Sequence, residues 1–258
     1  MAVPTKPPAR AGRKSDQTLD ARLSETLIRE IIESRYPPGA WLREQEISDR
    51  HGVSRASVRE ALRNVARAGF VEMQPWRGAQ VTHVGLDELI EIFSLLEDMY
   101  AQSARLAAEH FPEAKFGRLD AQMRGLDEAV VAGASKAQLC EQSFELGRFI
   151  GRYCGSRIAY RMVVQVGSLA LWQQLLLTPG TPLAVEQSAY AHRILVSAIK
   201  TRQPEIAETA ARLVVMITRR SLISENAERP EVETLGRGSR STARPRAKSA
   251  PRVPRAKA

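Results

Sequence analysis

Arginine recurs every four residues through one short segment of the chain, at Arg55, Arg59, Arg63 and Arg67. If that segment is helical, the four guanidinium groups form a slowly drifting basic stripe along one face. A guanidinium group can donate two hydrogen bonds to O6 and N7 of guanine in the major groove. The stripe therefore predicts a surface for double-stranded DNA. Arg55 and Arg59 are expected nearest the base edges, because the start of a recognition helix lies deepest in the groove.

The residues around the stripe predict a helix-turn-helix. Gly52 supplies the tight turn between two helices at low steric cost. Ser54 can cap the second helix, at about 54–68, because its hydroxyl can accept a free backbone N–H. Gly69 ends that helix. The side opposite the stripe is apolar and must pack on a core; it consists of Val58, Leu62 and Val65.

Neighbouring segments complete a winged helix-turn-helix. Helices are predicted before the turn, at about 19–34 and 43–50. Alternating residues at 71–74 and 79–82 predict two short strands. Arg77 lies in the turn between the strands, where it can reach the minor groove or a phosphate. The alternative is an ordinary helical surface with exposed arginines, but it does not account for the order of glycine turn, serine cap, basic stripe and Arg-Gly hairpin.

From Leu86 onward the sequence predicts only helices. Turn-forming residues divide the range 87–225 into about six helices of roughly 15–24 residues. The expected fold is therefore mostly α. It consists of a winged helix-turn-helix with three helices and a β-hairpin wing, followed by an all-α antiparallel bundle of about six helices. The predicted domains are a DNA-binding domain at 16–84 and a helical domain at 86–226.

The basic excess of the chain lies in two tails, predicted at 1–15 and 227–258. The formal net charge is +9, yet residues 1–15 carry four Lys or Arg and residues 236–258 carry eight, with no acidic residue in either segment. Without those residues the chain has 26 basic and 29 acidic side chains. The tails are rich in Pro, Ala and Gly and are predicted to be disordered. They either assist DNA binding through phosphate attraction or only add solubility; the sequence leaves both open.

Several classes of protein are disfavoured. No run of 18 apolar residues occurs, so no membrane span is expected, and the N-terminal residues lack the apolar core of a secretion signal. Cys140 and Cys154 make no disulfide framework and suit a reducing cytoplasm. We find no paired inward carboxylates, activated nucleophile or Gly-rich phosphate loop, which argues against an enzyme. The expected protein is a cytoplasmic DNA-binding protein.

The segment from Leu19 to Val84 resembles the DNA-binding domain of the GntR family of bacterial regulators, through PPGAWL, VSRASVREAL and RAGFVEMQPWRGAQV. The helical remainder, to about residue 225, resembles the FCD domain of FadR-type members, through Glu97, Leu106-Ala107-Ala108 and AHRILVSAI. The resemblance implies a transcriptional regulator, expected to be a repressor, that binds an inverted-repeat operator as a homodimer. It also implies a small organic acid, or a bulkier apolar molecule, as effector. The predicted DNA-binding residues are Gln45, Ser54, Arg55, Ser57, Arg59, Arg63, Arg77 and Gly78.

The resemblance implies a metal site as well, and the chain departs from it. FCD domains commonly hold a divalent metal through one Asp, a His four residues later and two further His. The matching positions in this chain are Ser143, Gly147, His192 and Val214. Only His192 could be a ligand, and a single imidazole does not hold a metal. We therefore expect no metal and no other cofactor.

Small residues stand where the ligands would be. Their effect is either to widen a pocket for a bulkier or less acidic effector, or to let a neighbouring helix approach closely. The candidate effector pocket consists of Ser143, Gly147, Gly151, His192 and Val214. His192 itself is predicted to be a hydrogen-bonded core histidine. The alternative function is a DNA-binding dimer whose degenerate effector domain senses nothing.

Overall fold

The computed structural model describes residues 12–74, 77–177 and 182–227. The N-terminal part contains α1 (Gly12–Ile32), β1 (Trp41–Leu42), α2 (Glu44–His51), α3 (Arg55–Arg67), β2 (Val71–Gln74) and β3 (Gly78–Val81). The remainder contains α4 (Leu86–His110), α5 (Phe116–Val131), α6 (Lys136–Arg152), α7 (Arg157–Leu177), α8 (Pro182–Lys200) and α9 (Pro204–Ala227). A single 3-10 turn, Glu113–Lys115, precedes α5. The predicted fold, a winged helix-turn-helix followed by a bundle of about six helices, is confirmed.

The wing is a three-stranded antiparallel sheet in the order β1-β3-β2. The predicted hairpin is present as β2 and β3, with Val71 opposite Val81. The sequence did not predict β1, in which Trp41 pairs with Gln80 and Leu42 with Ala79. Two residues are too few to show an alternating pattern, and this strand exists only because β3 supplies its partner.

The first helix begins earlier than predicted. It starts at Gly12 and not near Leu19, so residues 12–15, which were assigned to a disordered tail, are helical. No proline or glycine interrupts residues 13–32, and the helix therefore extends outward from its packed C-terminal part. The rest of the predicted tail at 1–15, and the tail at 228–258, lie outside the described residues.

One buried core runs through both halves of the chain. Phe70, directly after α3, packs its ring against Trp172 of α7, with centroids 5.2 Å apart. The side-chain amide of Gln165, also on α7, donates a hydrogen bond of 3.1 Å to the carbonyl of Arg67 at the end of α3. The DNA-binding half thus rests directly on one helix of the bundle. The domain limits 16–84 and 86–226 stay a prediction.

Within the bundle, α4 is the central helix and contacts α6, α7, α8 and α9. Aromatic side chains pack together at the C-terminal end of α4, where Phe111 lies near the rings of Phe116, Phe149 and Tyr153. Across the described ranges, no helix is long and apolar enough to cross a membrane.

The turn after α3 yields a stability prediction. Gly69 has φ +88°, and a Cβ atom there would lie 3.1 Å from the Leu169 side chain on α7. Gly52 has φ +64° with nothing within 4 Å. Gly52→Ala should therefore cost about 1–2 kcal/mol for the left-handed backbone alone. Gly69→Ala should cost more, because it adds a collision with Leu169.

Urea unfolding of the two variants measures the difference. Gly117→Ala serves as the control, because a Cβ atom there meets nothing within 4 Å and its helical position favours alanine. Equal losses for the two turn variants would mean that the contact with Leu169 constrains nothing.

Candidate nucleic-acid interface

The two helices of the helix-turn-helix meet at a left-handed glycine. Gly52 ends α2 with φ +64°, and Ser54 begins α3 as its N-cap, its hydroxyl accepting a hydrogen bond from the Ser57 backbone N–H at 3.1 Å. This cap satisfies one of the free N–H groups of the first turn. The apolar side of α3 is fully buried at Val58 and Leu62. The helix therefore packs on the core through its apolar side and exposes its polar face to solvent.

The exposed face of α3 carries the predicted arginines, and each contacts a polar neighbour. Arg55 donates to the side-chain oxygen of Gln45. Arg59 binds Glu44 through two hydrogen bonds, with Nε to Oε1 at 3.0 Å and Nη2 to Oε2 at 2.8 Å. Arg63 pairs with Glu60 at 3.1 Å. The side chains of Arg59 and Arg63 are each 54% exposed, so both remain accessible to a partner.

A groove of about 590 Å³ separates α3 from the wing. It is bordered by Arg43, Glu44, Arg59, Arg63, Met73, Gln74, Arg77 and Gly78. Arg77 is exposed at the turn, and Gly78 has φ +97° and lies so close to β1 that a Cβ atom would be 3.0 Å from the Leu42 carbonyl oxygen. Pro75 and Trp76, which separate β2 from Arg77 in the sequence, lie outside the described residues.

The structure places the eight predicted DNA-binding residues in two neighbouring groups. Four border the groove, and they are Arg59, Arg63, Arg77 and Gly78. The other four lie around the start of α3, beside the groove, and they are Gln45, Ser54, Arg55 and Ser57. Contact of these residues with DNA stays a prediction.

Sequence reasoning missed two charged residues of the groove, Arg43 and Glu44. Arg43 precedes α2 and pairs with Glu46 at 3.6 Å. Glu44 lies fifteen residues from Arg59, so no short helical spacing signals their pairing. The hydrogen bonds from Arg59 lower the pKa of the Glu44 carboxyl, which therefore carries a negative charge at neutral pH. This carboxylate repels phosphate oxygens but can accept a hydrogen bond from cytosine N4.

The helical domain holds a separate polar centre at His192, which is buried. Its Nε2 lies 3.2 Å from the Ser143 hydroxyl and its Nδ1 lies 2.8 Å from the Ser188 carbonyl oxygen. Burial lowers the pKa of His192 to about 4, so its ring is neutral at physiological pH. The histidine is thus hydrogen-bonded within the core. It also borders a cavity.

The predicted pocket residues differ in whether they border a cavity. A cavity of about 90 Å³ is bordered by four of the five predicted pocket residues, which are Ser143, Gly147, His192 and Val214. The fifth, Gly151, does not border it. A Cβ atom at Gly151 would lie 3.4 Å from the Ser103 hydroxyl and 3.6 Å from the Tyr160 ring, so this glycine permits close helix packing. An effector in the cavity stays a prediction.

The four positions that match the family's metal ligands do not fit a divalent ion. They offer one imidazole and one hydroxyl, and the two are already bonded to each other at His192 and Ser143. Among the described residues, no three His, Cys, Asp or Glu side chains are grouped so that they could hold a metal ion. The absence of a metal stays a prediction.

Comparisons with known proteins place both halves of the chain. Residues 19–81 match the model for bacterial regulatory proteins of the gntR family, and residues 88–215 match the model for the FCD domain. A probable D-xylose utilization operon transcriptional repressor of Paenarthrobacter nicotinovorans is 26% identical over 205 residues, which is 78% of this chain and 88% of that protein. The HTH-type transcriptional repressor RspR of Escherichia coli (strain K12) is 29% identical over 104 residues, 40% of this chain and 46% of that protein. The structure of E. coli McbR/YncC has the same fold, with a TM-score of 0.67 at 18% identity, covering 81% of this chain and 98% of that chain.

Arg59→Ala should weaken binding to the preferred duplex by roughly 1–3 kcal/mol and relax the base preference at one position. The reason is the loss of a two-donor group directed at the groove. Fluorescence anisotropy with the preferred duplex and its single-base variants measures both effects. Arg124→Ala, which removes the same charge from an exposed site on α5, is the control and should change neither. Unchanged affinity in Arg59→Ala would place the base-reading face elsewhere.

Glu44→Gln should act in the opposite direction on random DNA. Removing the carboxylate eliminates its repulsion of phosphates and should strengthen binding to random duplex by about 1 kcal/mol at low salt. The ratio of preferred to random affinity should fall. Glu128→Gln, at an exposed position on α5, is the matched control and should leave that ratio unchanged. A fall in random-duplex affinity for Glu44→Gln would contradict this role.

Proposed function

Because this chain belongs to the GntR family of bacterial regulatory proteins and carries an FCD domain, we propose that it represses transcription by binding an inverted-repeat operator as a homodimer. As a member of that family it is a DNA-binding transcriptional regulator and not an enzyme. Two of its relatives are named transcriptional repressors, which supports repression as the mode. Its place of action under this proposal is the bacterial cytoplasm, where the operator DNA lies.

The observation that carries the proposal is the basic groove between α3 and the wing. Arg59 and Arg63 approach it from the helix, and Arg77 approaches it from the turn between β2 and β3. In a winged helix-turn-helix, the helix enters the major groove while the wing reaches the backbone or the minor groove. The arrangement therefore supports reading of bases by α3 and fixing of register by the wing.

Dimer formation is supported by an apolar strip on α8 and α9. Tyr190 is 60% exposed and Met216 is 43% exposed, and they border a shared groove with Leu213 and Ile217. Large exposed side chains grouped in this way are typical of protein interfaces. A second copy packed on this strip would bring two recognition helices to the two halves of an inverted repeat.

Control by a small organic effector is supported by the two faces of α7. One face borders the cavity through Val163, Gly167 and Leu171. The other face contacts the DNA-binding half through Gln165 and Trp172. An effector that displaces α7 would thus also change the position of α3. Coupling between two sites requires contacts that differ in this way between two states of the protein. In the alternative function, α7 is a fixed support and the domain senses nothing.

Selection of bound sites from random duplex DNA tests the proposal. The expected outcome is a two-fold symmetric site bound by two chains. Thermal shifts with small organic compounds then separate a sensing domain from a degenerate one. Recovery of a single asymmetric site bound by one chain would contradict the dimeric repressor.

A matched pair of variants separates dimer formation from DNA reading. Met216→Glu places a charge in the apolar strip and should reduce both the dimer fraction in analytical ultracentrifugation and the affinity for the full site. Val131→Glu places the same charge on a side chain that is 89% exposed at the end of α5, and it should change neither quantity. Loss of dimer in both variants, or in neither, would contradict the proposed interface.

A further inference from the structure

The cavity in the helical domain adjoins a second one. The first measures about 90 Å³ and the second about 80 Å³. They share Cys140, Ser143, Gln174 and Thr218. An apolar cavity of about 150 Å³ is enough to admit benzene. A ligand with one ring would therefore span both spaces and pass the Ser143 hydroxyl.

Tyr100 provides evidence that the first cavity suits a ligand. Its side chain is only 5% exposed, it borders the cavity, and its hydroxyl has no hydrogen-bond partner among the described residues. A buried hydroxyl without a partner is unfavourable, and most such groups in folded proteins are satisfied. A ligand oxygen in the cavity would supply the missing hydrogen bond. Burial raises the pKa of Tyr100, so this group is a neutral phenol.

The other polar groups at this point are neutral too. The Ser143 hydroxyl faces the imidazole of His192 at 3.2 Å, and that ring is uncharged at physiological pH. Hydroxyl and imidazole groups both donate and accept hydrogen bonds. Because Nδ1 of His192 faces the Ser188 carbonyl oxygen, Nε2 accepts the hydrogen bond from the Ser143 hydroxyl, whose oxygen can still accept one from a ligand hydroxyl.

Two cationic side chains border the cavities. The one at the first cavity is paired with an acid, and the other borders only the second cavity. Arg148 donates to the Glu145 carboxylate at 3.0 Å, and its side chain is 42% exposed at the rim. Lys136, the first residue of α6, borders only the second cavity. A carboxylate next to Tyr100 would lose its water without gaining a counter-ion, which disfavours the charged form strongly.

We infer that this cavity binds an uncharged organic molecule with an apolar body and a hydroxyl group, which accepts a hydrogen bond from Tyr100 and donates one to Ser143 with no metal ion between. The inference rests on the proposed effector-binding function and names the chemical class of the effector. The walls around the polar centre suit the apolar body, because they include Phe93, Leu96 and Phe144.

Phenol and benzoate test the inference on the full-length chain, because they share a ring and differ in charge near neutral pH. Phenol should raise the melting temperature saturably, with or without EDTA, and benzoate should not. Tyr100→Phe should weaken phenol binding about fivefold, the loss expected for one hydrogen bond. Tyr153→Phe removes a hydroxyl from a partly exposed ring that borders neither cavity and should leave phenol binding unchanged.

Four results would each overturn the inference. They are equal or tighter binding of benzoate, no saturable shift with phenol, loss of the phenol shift in EDTA, and an unchanged phenol affinity in Tyr100→Phe. Binding of the selected duplex is measured in the same samples without added compound. Failure of dimeric duplex binding there would contradict the proposed function, whatever phenol does.

Discussion

The packing of the apolar side of α3 is the constraint on which the rest of the structure depends. Val58, Leu62 and Val65 are fully buried in a core to which α1 contributes Leu27 and Ile31. Because these side chains recur at helical spacing, the opposite face of α3 is turned outward, and it carries the arginines Arg55, Arg59, Arg63 and Arg67. A polar group at any of the buried positions would lose its water or rotate the helix. Burial of one face thus determines the direction in which the guanidinium groups point.

The same core continues into the helical domain through α7, and this joins the two candidate sites. Phe70 and Trp172 form the aromatic contact at the junction. On the far side of α7, the ring of Phe144 lies so near Gly167 that a Cβ atom there would be 2.9 Å from it. A helix packed this closely on both faces cannot absorb a displacement on one side alone. Under the proposed control by an effector, a displacement of α7 would therefore reach the end of α3, which Gln165 contacts.

Features that depend on local spacing could be predicted from the sequence, and features that depend on distant partners could not. The serine cap, the glycine turn and the apolar side of α3 are set by neighbours within a few residues, so the helix-turn-helix was predictable. The bond between Arg59 and Glu44, and the pairing of β1 with β3, join residues far apart in the chain. The unpartnered hydroxyl of Tyr100 was equally hidden, because its surroundings come from several helices. The sequence predicts Gly151 as a pocket residue because it lies on the same side of α6 as Gly147. In the structure, neighbouring side chains occupy the space beside Gly151.

Methylation interference on the selected duplex tests most directly whether α3 reads the major groove. Methylation of guanine at N7 blocks the position that an arginine would contact, whereas methylation of adenine at N3 modifies the minor groove. We expect methylation at guanine N7 in the bound site to abolish binding, and we expect this sensitivity to be lost at one guanine in Arg59→Ala. Binding that tolerates every N7 methylation would show that the arginine face of α3 does not contact the bases.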